Sequence, residues 1–252
     1  DKVIEITADN MKGLDVFENE NKMPKVNADE AFVATDSYPV LKVFTDDAGG
    51  TVVETPGQVW TGTVAEEFAV GDGSKENPYI ISTAAELAYA IKNNGFGGKY
   101  FELSHDIRLN DVDVKGWYNS ATNNAWYAES AGFNGHIDGK CHIVYGLWYP
   151  AEYKNESSGL IPVFMAGSIK NLGVRNAQVY AKNFAAGIVG KTVRTGDKLI
   201  ESCFVDETVL VYTMNADSAT GGIVGAAYDM NNSTTVTLTI KNCYSKASLS
   251  GQ

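Results

Sequence analysis

The residue types best suited to binding chemistry crowd into one stretch of this 252-residue chain. Residues 117–153 hold nine aromatic side chains and three of the four tryptophans. Within that stretch, Trp117-Tyr118-Asn-Ser-Ala-Thr-Asn123-Asn124-Ala-Trp126-Tyr127 sets flat rings among amides and hydroxyls. Such rings stack on the C–H faces of sugars while neighbouring polar groups read the sugar hydroxyls. Trp117, Tyr118, Asn123, Asn124, Trp126 and Tyr127 are therefore the candidate ligand-binding residues, and a polysaccharide or glycan is the expected partner. Tyr118, Trp126 and Tyr127 are expected to be exposed, with Trp117 and Trp148 packed beside strands. A second reading stands beside this one: the same rings would plug an open sheet edge and its apolar interior.

Other constellations are thinner. Asp111 and Asp113 alternate around Val112, so a strand would set both carboxylates on one face. With Asn110 they offer oxygen ligands suited to Ca²⁺, yet no loop with the required ligand number is readable. No other cofactor is expected, and no metal residue is assigned. His136, Cys141 and His142 invite zinc, but their spacing is not a standard ligand pattern. Lys170, Arg175, Lys191 and Arg194, with Asp197, Asp206 and Glu207, supply bases and acids without a recurrent arrangement. Lys170 and Lys241 share one repeat position that Glu201 fills between them, as an outward ion-pair ladder would. No GxSxG, HExxH, P-loop or dinucleotide fingerprint occurs, which disfavours nucleotide and hydride chemistry. No catalytic residue is assigned.

The elements that must carry these residues are short strands and one helix. Thr83-Ala-Ala-Glu86 has capping-box spacing ahead of Leu87, Ala88, Ala90 and Ile91, which predicts a helix over about 83–94. Asn93-Asn94-Gly95 supplies residues that tolerate a left-handed helix end. Gly71 to Pro78 reads as a turn-rich connector.

Beyond residue 158 the chain repeats itself. Gly159-Leu-Ile-Pro162, Gly187-Ile-Val-Gly190 and Gly222-Ile-Val-Gly225 form one recurring element. Ile169-Lys-Asn-Leu172, Ile200-Glu-Ser-Cys203 and Ile240-Lys-Asn-Cys243 form the second. Constant strands joined by loops of unequal length predict stacked coils, that is, an all-β right-handed parallel β-helix (solenoid) over 59–252 with the helix as its N-terminal cap. Leu172, Cys203 and Cys243 then become equivalent inward positions, where cysteine acts as a small hydrophobe. Parallel Cβ vectors on adjacent coils suit a Cys203–Cys243 disulfide poorly. Residues 1–58 alternate in short runs such as Val40-Leu-Lys-Val-Phe44 and read as a small β-rich appendage or the end of a preceding module.

Composition bounds the partners. Twenty lysines and arginines face 31 acids, for a net charge of -11, which argues against nucleic acid. No apolar run is long enough for a membrane span. No secretory leader is readable at Asp1, so the chain is expected to be a mature product or a cut fragment. The repeats continue to the last residues without a polar cap, so further domains of the same polypeptide are expected.

The repeat quartets resemble those of GLUG-motif bacterial cell-surface and secreted proteins, named for a Gly-Leu-any-Gly core. The block from Trp60 to Leu109 resembles their lead-in, and Phe133-Asn-Gly-His-Ile-Asp-Gly-Lys-Cys-His-Ile-Val-Tyr-Gly-Leu147 resembles a first full coil. The likeness spans roughly residues 60–252. Pro162 departs from the motif glycine, and residues 118–132 read as an insertion. The resemblance implies an extracellular solenoid of the pectin-lyase-like superfold, in adhesins, stalks or accessory modules, without a shared catalytic set. It also explains His136 and His142 as coil positions.

The expectation is a non-catalytic adhesion or carbohydrate-binding module, extracellular or at a bacterial cell surface, facing a glycan or a host or substrate surface. Its alternatives are a polysaccharide lyase or glycoside hydrolase, and an inert stalk.

Overall fold

The computed structural model describes residues 32–33, 40–41, 57–93, 96–126, 132–152, 155–193, 195–227 and 236–251. The chain divides into two compact units, Asp1–Thr55 and Pro56–Gln252. In the first, strands Phe32–Val33 and Val40–Leu41 pair antiparallel, with Phe32 opposite Leu41. The rest of the predicted appendage up to residue 56 lies outside the described residues.

The second unit is built of short strands around one α-helix, Ala84–Lys92. The predicted capping box closes its start. The Glu86 amide donates to the Thr83 hydroxyl at 3.2 Å, and the Thr83 amide donates back to the Glu86 carboxylate at 3.0 Å. Ala84, Ala85, Leu87, Ala88, Ala90 and Ile91 are buried and join the apolar core of the strands. The helix ends on Asn93 in an extended conformation (φ -92°, ψ 114°). Asn94 and Gly95 lie outside the described residues.

Every strand pairing described in this unit is parallel, and no sheet closes into a barrel among the described residues. A long sheet runs through Tyr79–Ile81, Lys99–Leu103, Phe133–Asp138 and Ile161–Lys170. It then divides. Val189–Thr192 and Val224–Ala227 continue from the first half of Ile161–Lys170, and Lys198–Glu201 and Leu238–Lys241 continue from its second half. Three narrower parallel sheets accompany it, the widest being Ile107–Arg108, Ile143–Tyr145, Gly173–Arg175, Phe204–Val205 and Tyr244–Ser245.

The register follows the sequence repeats. Val189 pairs with both Ile161 and Val224, and Ile200 pairs with both Ile169 and Ile240. The expected ion-pair ladder forms as well: Glu201 accepts Lys170 at 3.4 Å and Lys241 at 2.8 Å.

Side chains alternate across each strand. Phe101, Ile137, Ile169 and Ile200 line up inward and are buried, as do Val144, Val174 and Val205 in the neighbouring sheet. In the last strands the equivalents are open to solvent: Ile240, opposite Ile200, is 46% exposed, and Leu249, opposite buried Val211, is 49% exposed. At the third position of the second repeat element, Asn171, Ser202 and Asn242 all adopt left-handed backbone, with φ of 51°, 55° and 53°. Asparagine tolerates that conformation because its short side chain bonds locally; serine gains less.

Candidate functional site

The six residues singled out from the sequence do not form an open aromatic platform. Trp117 is buried, as is Trp126, whose ring is fully enclosed. The expected exposure of Trp126 is therefore corrected. Its indole N–H donates to the Leu160 carbonyl at 2.9 Å, and its ring meets Trp60 edge-on at 5.3 Å. An indole can be buried at low cost when its one donor is satisfied and its apolar area leaves water.

The flanking amides work on the loop itself. The Asn124 side chain donates to the Trp60 carbonyl at 2.6 Å, and that of Asn123 to the Trp117 carbonyl at 2.7 Å. Buried Asn110 clamps the same loop, donating to the carbonyls of Asn124 and Gly146. Tyr118, 40% exposed, matches its expectation; Tyr127 lies outside the described residues. Around Trp117, Asn123 and Asn124 remains a pocket of about 210 Å³.

The calcium reading also changes. Arg108 reaches Asp113 at 2.6 Å and Asp111 at 3.3 Å, so these carboxylates serve a guanidinium, while the Asn110 amide turns to backbone carbonyls. Among the described residues, no three His, Cys, Asp or Glu side chains gather in a way that would hold a metal ion. His142 pairs with Asp106 at 3.2 Å, away from His136. Cys141, Cys203 and Cys243 are free thiols. Arg194 lies outside the described residues.

A larger concavity lies on the outer face of the long sheet, about 740 Å³ in volume. Its floor follows from register. Tyr100, His136, Ser168, Leu199 and Thr239 occupy one outward row across five parallel strands. Neighbouring strands sit about 4.8 Å apart, so planar side chains in one row stack. Tyr100 and His136 do so at 4.3 Å between ring centroids, 12° from parallel. His136 shares a 3.0 Å hydrogen bond with the Ser168 hydroxyl.

The next strand is small along this face: Ala166, Gly167 and Ser168 line the concavity. Gly167 has a φ of 106°, and a Cβ there would stand 1.9 Å from the Gly135 carbonyl oxygen. In the outward row the small Ser168 stands between His136 and Leu199, so the surface is lower there. The result is a groove walled by a flat imidazole on one side and an aliphatic side chain on the other.

Lys75 reaches this groove from the connector predicted between Gly71 and Pro78. That connector is an ordered turn. Asp72 accepts from the Ser74 amide at 2.8 Å and from the Asn77 side chain at 3.2 Å, and these donors lower its carboxyl pKa. Lys99 ties the turn to the sheet through the Asp72 carbonyl at 3.0 Å. Desolvation holds the His136 imidazole below its ordinary pKa, helped by the positive charges of Lys170 and Lys75. Sequence reasoning missed this site; the signal available was the succession Tyr100, His136 and Ser168 on strands whose register was not yet fixed.

Fold and groove together define a parallel-sheet protein with a shallow concave face across its strands. No protein-family model matches the chain. Over 142 residues, 55% of this chain, it is 28% identical to a protein of Evansella cellulosilytica described as a Gly-rich membrane protein, covering 16% of that protein. Over 188 residues, 71% of this chain, it is 28% identical to Halomucin of Haloquadratum walsbyi, covering 2% of it. The chain thus spans a small part of both relatives. A solved structure from Bacteroides ovatus, described as an immunoglobulin A1 protease, covers 73% of this chain and 80% of its own at 16% identity. Its TM-score is 0.37, and at that score the likeness carries no argument. No helix among the described residues is long and apolar enough to cross a membrane.

Proposed function

We propose that this chain is a non-catalytic carbohydrate-binding module of an extracellular or cell-surface bacterial protein. In this reading it folds as a right-handed parallel β-helix of the GLUG type, and a glycan lies along the outer face of the long sheet. The repeat register supports the stacked-coil reading, because equivalent residues of successive repeats pair strand to strand. The likeness to a Gly-rich membrane protein and to Halomucin supports the surface location.

The observation that carries the binding reading is the groove beside His136. It joins a stacked ring pair, a serine hydroxyl and small floor residues in about 740 Å³, within the size range of ligand sites. A sugar offers apolar C–H faces and many hydroxyls, and this surface offers a flat wall with polar neighbours.

Binding to a broad glycan array tests the reading, with His136→Ala and Tyr118→Ala beside the parent protein and thermal melts to confirm folding. Loss of binding in His136→Ala alone supports the groove. Loss in Tyr118→Ala alone returns the site to the 117–124 loop. Silence across the array overturns carbohydrate binding and leaves the stalk reading.

A further inference from the structure

We infer that the groove receives a single uncharged sugar ring, a chain end or a side branch, which enters edge first above Ser168 and stacks between His136 and Leu199. The inference rests on the carbohydrate-binding reading and narrows it to the one ring that does the binding.

The outward row of Tyr100, His136, Ser168, Leu199 and Thr239 is a ladder with one rung missing. Tyr100 covers one face of the His136 ring at 4.3 Å between centroids. The other face looks to the side on which Ser168 stands, and a serine side chain is too small to cover it. The 3.0 Å hydrogen bond between the two holds the imidazole in place. Half-buried Leu199 closes the far side of the gap.

Strand spacing sets the width. His136 and Leu199 lie on either side of the strand that carries Ser168, roughly 9–10 Å apart. Carbon atoms in contact sit about 3.5–4 Å apart, so one ring between the walls needs about 7–8 Å and two rings need more than about 10 Å. There is room for one. A planar aromatic ring would leave slack, whereas a chair-shaped pyranose carries hydrogens on both faces and is thicker. Its C–H faces meet the imidazole and the leucine.

The rims suit hydroxyls better than a charge. On one side the next outward row is Asp138, Lys170 and Glu201; on the other, Asn134, Ala166 and Asp197 border the gap. Around the two adjoining concavities Lys75, Lys170 and Lys198 are matched by Glu102, Asp138 and Asp197. A charged ligand would give up hydration here without meeting a net opposite charge. A hydroxyl is donor and acceptor at once, so ammonium and carboxylate groups both serve it. An interior sugar carries linkages at two edges of its ring. A terminal or branch sugar carries one, which leads out over the sheet face when the opposite edge rests on Ser168.

The probes are the methyl glycosides of glucose, galactose, mannose and glucuronic acid, with linear oligomers of the three neutral sugars from two to six residues, followed by ligand-observed NMR. The expected result is that one neutral methyl glycoside binds and that its oligomers bind within about threefold of it. The glucuronide should bind more weakly than the glucoside. Ser168→Phe supplies the missing rung and should abolish binding, while Ser168→Ala, as small as the parent residue, should bind far better than Ser168→Phe. Thermal melts confirm folding, and if Ser168→Phe does not fold, Leu199→Ala gives the second reading, since opening the far wall should weaken binding. Affinity that climbs more than about tenfold from one residue to six overturns the single-ring slot and leaves the carbohydrate reading standing. So does parent-like binding by folded Ser168→Phe, or silence of every methyl glycoside beside hits on the glycan array. Tighter binding of the glucuronide overturns the preference for an uncharged ring. Silence of all probes and of the array overturns the carbohydrate reading, and this inference with it.

Discussion

The indole N–H of Trp126 donates to the carbonyl of Leu160 at 2.9 Å, a bond that ties the aromatic loop to the start of the repeat region. The ring is wholly enclosed, and Lys92 of the helix lies 5.5 Å from its centroid. Trp126→Ala should therefore cost about 3–5 kcal/mol of stability through lost burial and the cavity left behind. Trp126→Phe should cost less, its main penalty being about 1–3 kcal/mol for an unpaired buried carbonyl. Denaturant midpoints measure both. Parent-like stability of Trp126→Ala would contradict the buried position.

That tryptophan shows where sequence reading stops. Its neighbours Asn123, Asn124 and Ser120 suggest an exposed loop, because such residues ordinarily face water. Here the asparagine amides are consumed by backbone carbonyls, one of them on distant Trp60, and nothing local announces a partner so far along the chain. The repeats are more legible. Their apolar quartets recur because equivalent positions stack, and Val189 between Ile161 and Val224 is the outcome. The helix start is legible too, since a capping box is a local contract between Thr83 and Glu86. The groove is not. Its row joins Tyr100, His136 and Ser168 across loops of unequal length, and the register slips by one residue at Met165, where Phe133 pairs with Phe164 but Asn134 with Ala166.

Ser202 holds left-handed backbone at a corner where the neighbouring repeats place Asn171 and Asn242. An L-residue pays a steric cost there that asparagine partly recovers through local hydrogen bonding. Ser202→Asn should raise stability by a part of the roughly 1–2 kcal/mol that left-handed backbone costs an L-residue. A rise in melting temperature checks it. A fall would show that the serine hydroxyl makes a contact worth more than the strain.

Glu201 should govern part of the acid sensitivity. Donors from Lys241 and then Lys170 hold its carboxyl below the ordinary glutamate value, against the opposing effect of partial burial. A depressed folded pKa contributes stability above the unfolded value and loses it as pH falls through the folded one. Glu201→Gln should therefore destabilise at neutral pH and show a shallower loss on acidification. Because Lys170 and Lys241 are partly exposed, the difference should shrink in high salt. Melts across pH at two ionic strengths measure it, and parallel pH profiles for the two proteins would remove Glu201 from the account.

The thiols should react in the order of their exposure. Cys203 is 1% exposed, and burial pushes its pKa up to about 12. Its sulfur lies 3.3 Å from the Glu201 carbonyl, and its own amide reaches the Cys243 sulfur at 3.4 Å. The thiolate is the reactive form, so Cys203 combines a scarce nucleophile with a closed approach. Cys141 is exposed at a tight turn and open to approach. Under native conditions a maleimide should label Cys141 first, Cys243 more slowly, and Cys203 only at the rate of unfolding. Mass spectrometry of timed digests reads the order, and urea below the unfolding midpoint should accelerate Cys203 far more than Cys141. Labelling of Cys203 as fast as Cys141 in native buffer would mean that the strand carrying it opens locally, and that the inward row formed by Leu172, Cys203 and Cys243 is not closed.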